Sequence, residues 1–270
     1  MQHEIKQLFP KWCWDSEEVY DLCLSDDIDS LVACALLEQL KGYKINYFYD
    51  FSSFWQIEDS NKPAIAVDVD LTKGKCWSNH VTMLSSRDSV NPESANLNNV
   101  LQISRDNYTS KYAGSTTLQI MSYYGIPLPK KEEARMIFLA IDSAFKGFYA
   151  DKFKESNKKY LHMLEFDELI ELLEHKTIDD FHRIKTKYNL HKKIYVNDQG
   201  ILDTEICVDM LSDVLELDLW LPWSQFEKTK NFKRKSLDLY ENDPLSKKNT
   251  VDIVSCALIF RNKLCYTTRT

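Results

Sequence analysis

Glycine is scarce in this 270-residue chain, with only six present. Phosphate loops of the Rossmann or Walker kind need several glycines close together, because the backbone must approach the phosphate. No such run exists, so nucleotide binding by either device is not expected. Cys-x-x-Cys spacing is also lacking. The seven cysteines, at 13, 23, 34, 76, 207, 256 and 265, are odd in number and scattered, which argues against a disulfide framework or a structural zinc. No apolar run approaches the roughly 20 residues of a membrane span, and the opening Met-Gln-His-Glu-Ile-Lys-Gln lacks a signal-peptide profile. The expectation is a cytoplasmic chain with no membrane partner. Excess positive charge is missing too. A net charge of −7 disfavours a broad nucleic-acid-coating surface but leaves room for a local basic groove. The densest basic run, Lys228, Lys230, Lys233, Arg234 and Lys235, reads as a solvated loop or helix face.

What is present is ordinary globular material. Apolar residues make up 44% and charged residues 28%, enough to bury a sizeable core. Val19–Leu24 reads as a short buried strand, residues 31–40 as an apolar helix ending near Gly42, and Lys44–Tyr49 and Pro63–Val67 as further strands. Strand, helix, strand in that order predicts α/β architecture with a parallel sheet flanked by helices. Residues 85–112 are polar and loop-like. Gly114-Ser115-Thr116-Thr117 opens a helix that runs through Tyr124, and Glu132–Phe148 reads as another. Helical patterns at 165–174 and 177–188 then bridge to a smaller C-terminal α+β unit. That unit holds two hairpins, one across 193–208 and one from Val251 to Thr268 turning at 261–263. The expected domains are therefore residues 1–190 and 191–270.

Three carboxylates stand within four residues in Leu24-Ser25-Asp26-Asp27-Ile28-Asp29, where an apolar strand ends and a buried helix begins. Helix capping needs one such acid. Three repel one another unless a cation neutralises them, and hard divalent cations take oxygen ligands. Val67-Asp68-Val69-Asp70 repeats the pattern at the end of another strand, either Asp68 or Asp70 being able to serve. Asn79-His80-Val81 adds a histidine. Asp142 lies in the apolar Phe138–Phe145 segment, where a carboxylate must be paired, protonated or coordinated. The aromatic series Tyr47, Phe48, Tyr49, Phe51, Phe54 and Trp55 suits either core packing or a base-stacking platform.

In order and setting these segments resemble the DHH phosphoesterase superfamily over roughly residues 18–148. Asp27-Ile28-Asp29 resembles its first motif, Asp68 the second-motif aspartate, Asn79-His80-Val81 a degenerate Asp-His-His, and Asp142 the fourth-motif aspartate. The resemblance implies a metal-dependent phosphoesterase hydrolysing a phosphodiester or phosphoanhydride in a nucleotide or short single-stranded nucleic acid. Asp27, Asp29, Asp68, His80 and Asp142 would hold Mn2+ or Mg2+, with Asp27, Asp68 and His80 catalytic and Ser115, Thr116 and Arg261 touching substrate. The family's His or Asp ahead of Asp-x-Asp is here Cys23 or Ser25, and its second histidine is Val81, so a second metal site is depleted. Restoring Asp at 79 and His at 81 is expected to raise turnover. The alternative is a catalytically lapsed relative that binds a nucleotide or a protein partner.

Overall fold

A computed structural model describes residues 1–14, 17–240 and 252–270. After α1 (His3–Lys6) the chain forms β1 (Asp21–Ser25), α2 (Ile28–Lys41), β2 (Lys44–Tyr49), β3 (Ser53–Gln56), β4 (Ala64–Val67), β5 (Cys76–Trp77) and β6 (Ser94–Ala95). Helices α3 (Leu97–Val100), α4 (Thr116–Tyr124), α5 (Glu132–Ala140), α6 (Asp151–Met163), α7 (Asp167–His175) and α8 (Ile178–Lys187) follow. Then come β7 (Ile194–Val196), β8 (Leu202–Thr204), α9 (Val208–Leu215), β9 (Glu227–Asp238), β10 (Ile253–Phe260) and β11 (Lys263–Arg269).

The α/β expectation holds, with one sheet ordered β10-β11-β9-β3-β2-β1-β4-β5-β6 and a separate β7-β8 pair. Strands β2, β1, β4, β5 and β6 run parallel, whereas β3, β9, β11 and β10 continue the sheet antiparallel. All five residues of β1 are buried, as a central parallel strand covered on both faces should be. Helix α2 follows for the same reason. Ile28 through Leu37 are all buried, and Gly42 at φ +67° ends the helix in a conformation that spares a Cβ.

The C-terminal strands curl the sheet back on itself. End strand β10 bonds to the loops after β4 and β5: Thr72 N–H donates to Val254 O at 2.9 Å, Cys256 N–H to Asp70 O at 3.0 Å and Leu258 N–H to Val81 O at 2.8 Å. Both closing strands match the expected hairpin, although Val251 lies outside the described residues. The basic run is not a loop or a helix face. It lies in β9, bonded to β3 on one side and β11 on the other. The stretch 85–112 also departs from the loop reading, because it contributes β6, α3 and a set of buried asparagines, Asn91, Asn96, Asn98 and Asn99.

Helix α5 stops earlier than its apolar pattern implies. Asp142 and Ser143 adopt φ of +50° and +57°, so the chain breaks at Ala140 and a 3-10 turn spans Ile141–Gly147. Asp142 is thus not embedded in a helix. It stands at the exposed rim of a kink.

Candidate functional site

β1 and β4 are neighbours, and the strands on their far sides, β2 and β5, carry the sheet away in opposite directions. Such a switch point opens a crevice at the carboxyl ends of the strands. Both acidic loops leave the sheet there. Ser30 ties them together, its hydroxyl accepting from Ser25 N and donating to Val67 O, both at 2.7 Å. Asp27 caps α2, accepting from Ser30 N at 3.3 Å. Asp29 is buried, and its two oxygens accept the backbone N–H groups of Thr116 and Thr117 at 2.7 and 2.8 Å, so it receives the N-terminus of α4. Thr116 also donates its hydroxyl to Asp68 Oδ1 at 2.8 Å, joining the two acidic loops. Ser115 is the N-cap of α4, bonded to Leu118 N. Asp68 itself holds φ +59°, so two of the candidate aspartates, Asp68 and Asp142, occupy left-handed backbone. Strained backbone of this kind gathers at functional sites.

A second chain of contacts positions His80. Its Nδ1 lies 2.9 Å from Asp70 Oδ2, while Asp70 Oδ1 accepts from Asn96 Nδ2, which also donates to His80 O at 2.8 Å. Asp68 thus faces Thr116, and Asp70 faces the histidine. Asn79 donates through Nδ2 to Gly114 O and to Asp142 Oδ2, both at 2.8 Å. Its Oδ1 is buried with no hydrogen-bond partner. Val81 is fully buried among Ile103, Tyr108 and Leu258 and does not face the carboxylates. A histidine placed there would enter an apolar cluster, which overturns the expectation that Val81→His restores a phosphate contact.

Crowding of acids dominates the electrostatics. Burial, then the charge of Asp142, lifts Asp29 from 3.8 to about 7. Burial and the nearby Asp29, Asp27 and Asp142 push Asp68 well above the ordinary carboxylate range. Asp142 is raised by desolvation against the surrounding chain, with His80 opposing and Asp27 adding to the shift. For His80, burial favours the neutral ring, but the charge and hydrogen bond of Asp70 outweigh it and hold the imidazole at about 9.

The acidic crevice forms a cavity of about 160 Å³ whose wall includes Asp26, Asp27, Asp68, Asp70, His80 and two cations, Lys193 and Arg234. On the other side of His80, Asn79 and Asp142 line a second cavity of about 390 Å³. Lys193 and Arg234 are the contributors that sequence reading missed. Lys193 Nζ lies 2.9 Å from Asp26 Oδ1 and 3.3 Å from Asp27 Oδ2, although 166 residues separate it from the latter. Arg234 stacks over Phe51, 5.3 Å from the ring centroid. Arg261 sits at the exposed hairpin turn and donates to Arg105 O. The crevice wall carries four carboxylates, of which Asp26 and Asp27 are paired with Lys193 and Asp70 with His80. Among the described residues, no three His, Cys, Asp or Glu groups stand together so as to hold a metal ion.

No helix among the described residues is long and apolar enough to cross a membrane. Comparison with family models, with curated proteins and with solved structures finds no match.

Proposed function

We propose that this chain is a divalent-metal-dependent phosphoesterase of the DHH kind, acting on a nucleotide or short single-stranded nucleic acid with Mn2+ or Mg2+. What carries the reading is the gathering of Asp27, Asp29 and Asp68 at the switch point, with Asp142 beyond His80, and the raised pKa of Asp29 and Asp68 from burial and mutual repulsion. Such a cluster is short of positive charge, and a divalent ion is the compact remedy. When bound, the ion would lower the pKa of a water and screen phosphate oxygens.

The chain's own residues have separable parts in this reading. Asp29, Asp68 and Asp142 supply oxygens, and Thr116 and Asn79 fix their starting orientation. His80 keeps its proton through neutral pH, so it offers a general acid to a leaving oxygen. It becomes a ligand only by giving up that proton. Arg234, on the cavity wall, provides a donor for a phosphate oxygen.

A second reading, a lapsed relative that binds a nucleotide or a protein partner, draws on the lack of a ready three-residue ligand set among the described residues. Hydrolysis separates the two. With Mn2+ present, bis-p-nitrophenyl phosphate or single-stranded oligonucleotides should be cleaved, and Asp68→Ala should lower the rate by on the order of 10²-fold or more. Inert wild type across nucleotides, cyclic dinucleotides and oligomers, with binding retained, selects the second reading.

A further inference from the structure

We propose that the inner face of the curled sheet holds a site for a single-chain amphipathic anion of the fatty-carboxylate kind. Its apolar chain would lie inside the curl and its head between Lys230 and Arg269. The site stands apart from the phosphoesterase reading and uses none of its residues.

The central strands are unequal on their two faces. Toward the helices they present Leu22, Leu24, Ile65 and Val67, large side chains of the main core. The alternate residues, Cys23 on β1 and Ala66 on β4, face the other way. Because these are small and the sheet curls over them, a cavity of about 650 Å³ remains. That lies within the roughly 300–1,000 Å³ usual for small-molecule sites. Cys23, Tyr49, Ala66 and Val69 form its floor, and all four are buried. Tyr49 brings a hydroxyl to this floor, but it already donates to Thr267 Oγ1 at 2.7 Å. A sugar or nucleotide body would strand its polar groups there, whereas an alkyl chain gives up only its contact with water.

The basic run of β9 supplies the other half. Residues two apart on a strand share a face, so Lys230, Phe232 and Arg234 all point into the curl. Phe232 packs edge-on to Tyr49 with ring centroids 5.2 Å apart, and the two rings stand between the cavities. Arg234 is on the acidic side and Lys230 on the apolar side. Arg269 joins Lys230 from β11, where it lies opposite Phe232. Lys230 and Arg269 are exposed, and among the described residues neither makes an ion pair. Lys75, the third cation on the rim, is engaged with Glu18 at 3.6 Å. Among the described residues no acidic side chain lines the cavity. Two cations without anions, above an apolar hollow without acids, complement an anionic head on an apolar tail.

Calorimetric titration of the full chain with octanoate, decanoate and dodecanoate, each below its micelle concentration, tests this. A single molecule should bind per chain, about fourfold tighter for each added methylene. Dodecanol should bind on the order of tenfold more weakly than dodecanoate, and Lys230→Gln combined with Arg269→Gln should erase that gap. Both positions are exposed, so the double variant should keep its fold, which circular dichroism verifies. Ala66→Leu fills the floor and should weaken binding of every member of the series. Failure of dodecanoate to bind, many molecules bound per chain, or equal affinity for dodecanoate and dodecanol in wild type overturns the proposal. So does a gap that survives in the double variant, or an unchanged affinity in folded Ala66→Leu. Should Ala66→Leu fail to fold, the double variant decides. None of these results bears on hydrolysis at the acidic crevice, so the phosphoesterase reading stands or falls separately.

Discussion

Asp29 serves two purposes that pull in opposite directions. As an acceptor it satisfies two buried N–H groups of α4, and as a buried charge among other acids it is held at about 7. A carboxyl whose folded pKa exceeds its unfolded value of 3.8 binds more protons in the folded state between those limits, so stability falls as pH rises from about 4 to 7. His80 extends the trend. Raised from 6.5 to about 9, it contributes stability that is complete below 6.5 and is lost as pH climbs through 9. The metal-free protein should therefore melt at progressively lower temperature from pH 5 to pH 9. Asp29→Asn should flatten the acidic part of that slope, and Mn2+ should reduce it in wild type. A melting temperature independent of pH in EDTA would contradict this. Asn79 offers a sharper contrast. Asn79→Asp removes both amide donors and places a carboxylate against Asp142, so in EDTA it should destabilise by about 1–3 kcal/mol in urea titrations. With Mn2+ present the deficit should shrink, because the added charge faces a cation.

Element by element, β1, β2, β4 and α2 were legible from their largely apolar runs, whereas β5 and β6, two residues each, leave no run to read. The end of α5 was not. Its apolar spacing continues past Ala140, and nothing in the residue types announces that Asp142 and Ser143 turn left-handed. Nor was β9 legible as a strand. Strand reading depends on alternation, and all but Phe232 and Leu237 of its twelve residues are exposed on one face or the other, while its pairing is made by backbone groups. The buried asparagines of 91–99 misled for a related reason, since a polar side chain with every donor satisfied is as much core as a leucine. Lys193 left no local trace, because its partners lie far away in sequence. The kink at Asp142 gives its own test. In left-handed backbone a Cβ is strained, so Asp142→Gly should be more stable than Asp142→Ala by about 1 kcal/mol in denaturant titrations. Equal stabilities would mean the kink relaxes when the carboxylate is gone.

For the whole molecule, the joining of β9 to β3 matters most, together with the return of β10 to the loops at Asp70, Thr72 and Val81. Residues from 191–270 and from 1–190 share one sheet, and the loop bearing His80 hangs partly on the C-terminal hairpin. Leu258 is the joint, fully buried against Val81 and Tyr108. Leu258→Ala should cost about 2–5 kcal/mol. Unfolding followed by tryptophan fluorescence and by hydrogen exchange in β10 and β11 should give coincident transitions. Separate transitions would show that the hairpin opens alone.

The curl of the sheet also places a chemical handle where it is useful. Among the seven cysteines, Cys207 and Cys265 are partly accessible while the other five are buried, and Cys265 lies on the wall of the acidic crevice. Thiol-selective alkylation should therefore modify these two positions in the native protein, with Cys207, which lines a different cavity, as an internal reference. Anything that occupies the crevice should slow modification at Cys265 and leave Cys207 unchanged. Mass spectrometry of the two peptides would then turn the native chain into its own occupancy gauge, with no engineered label.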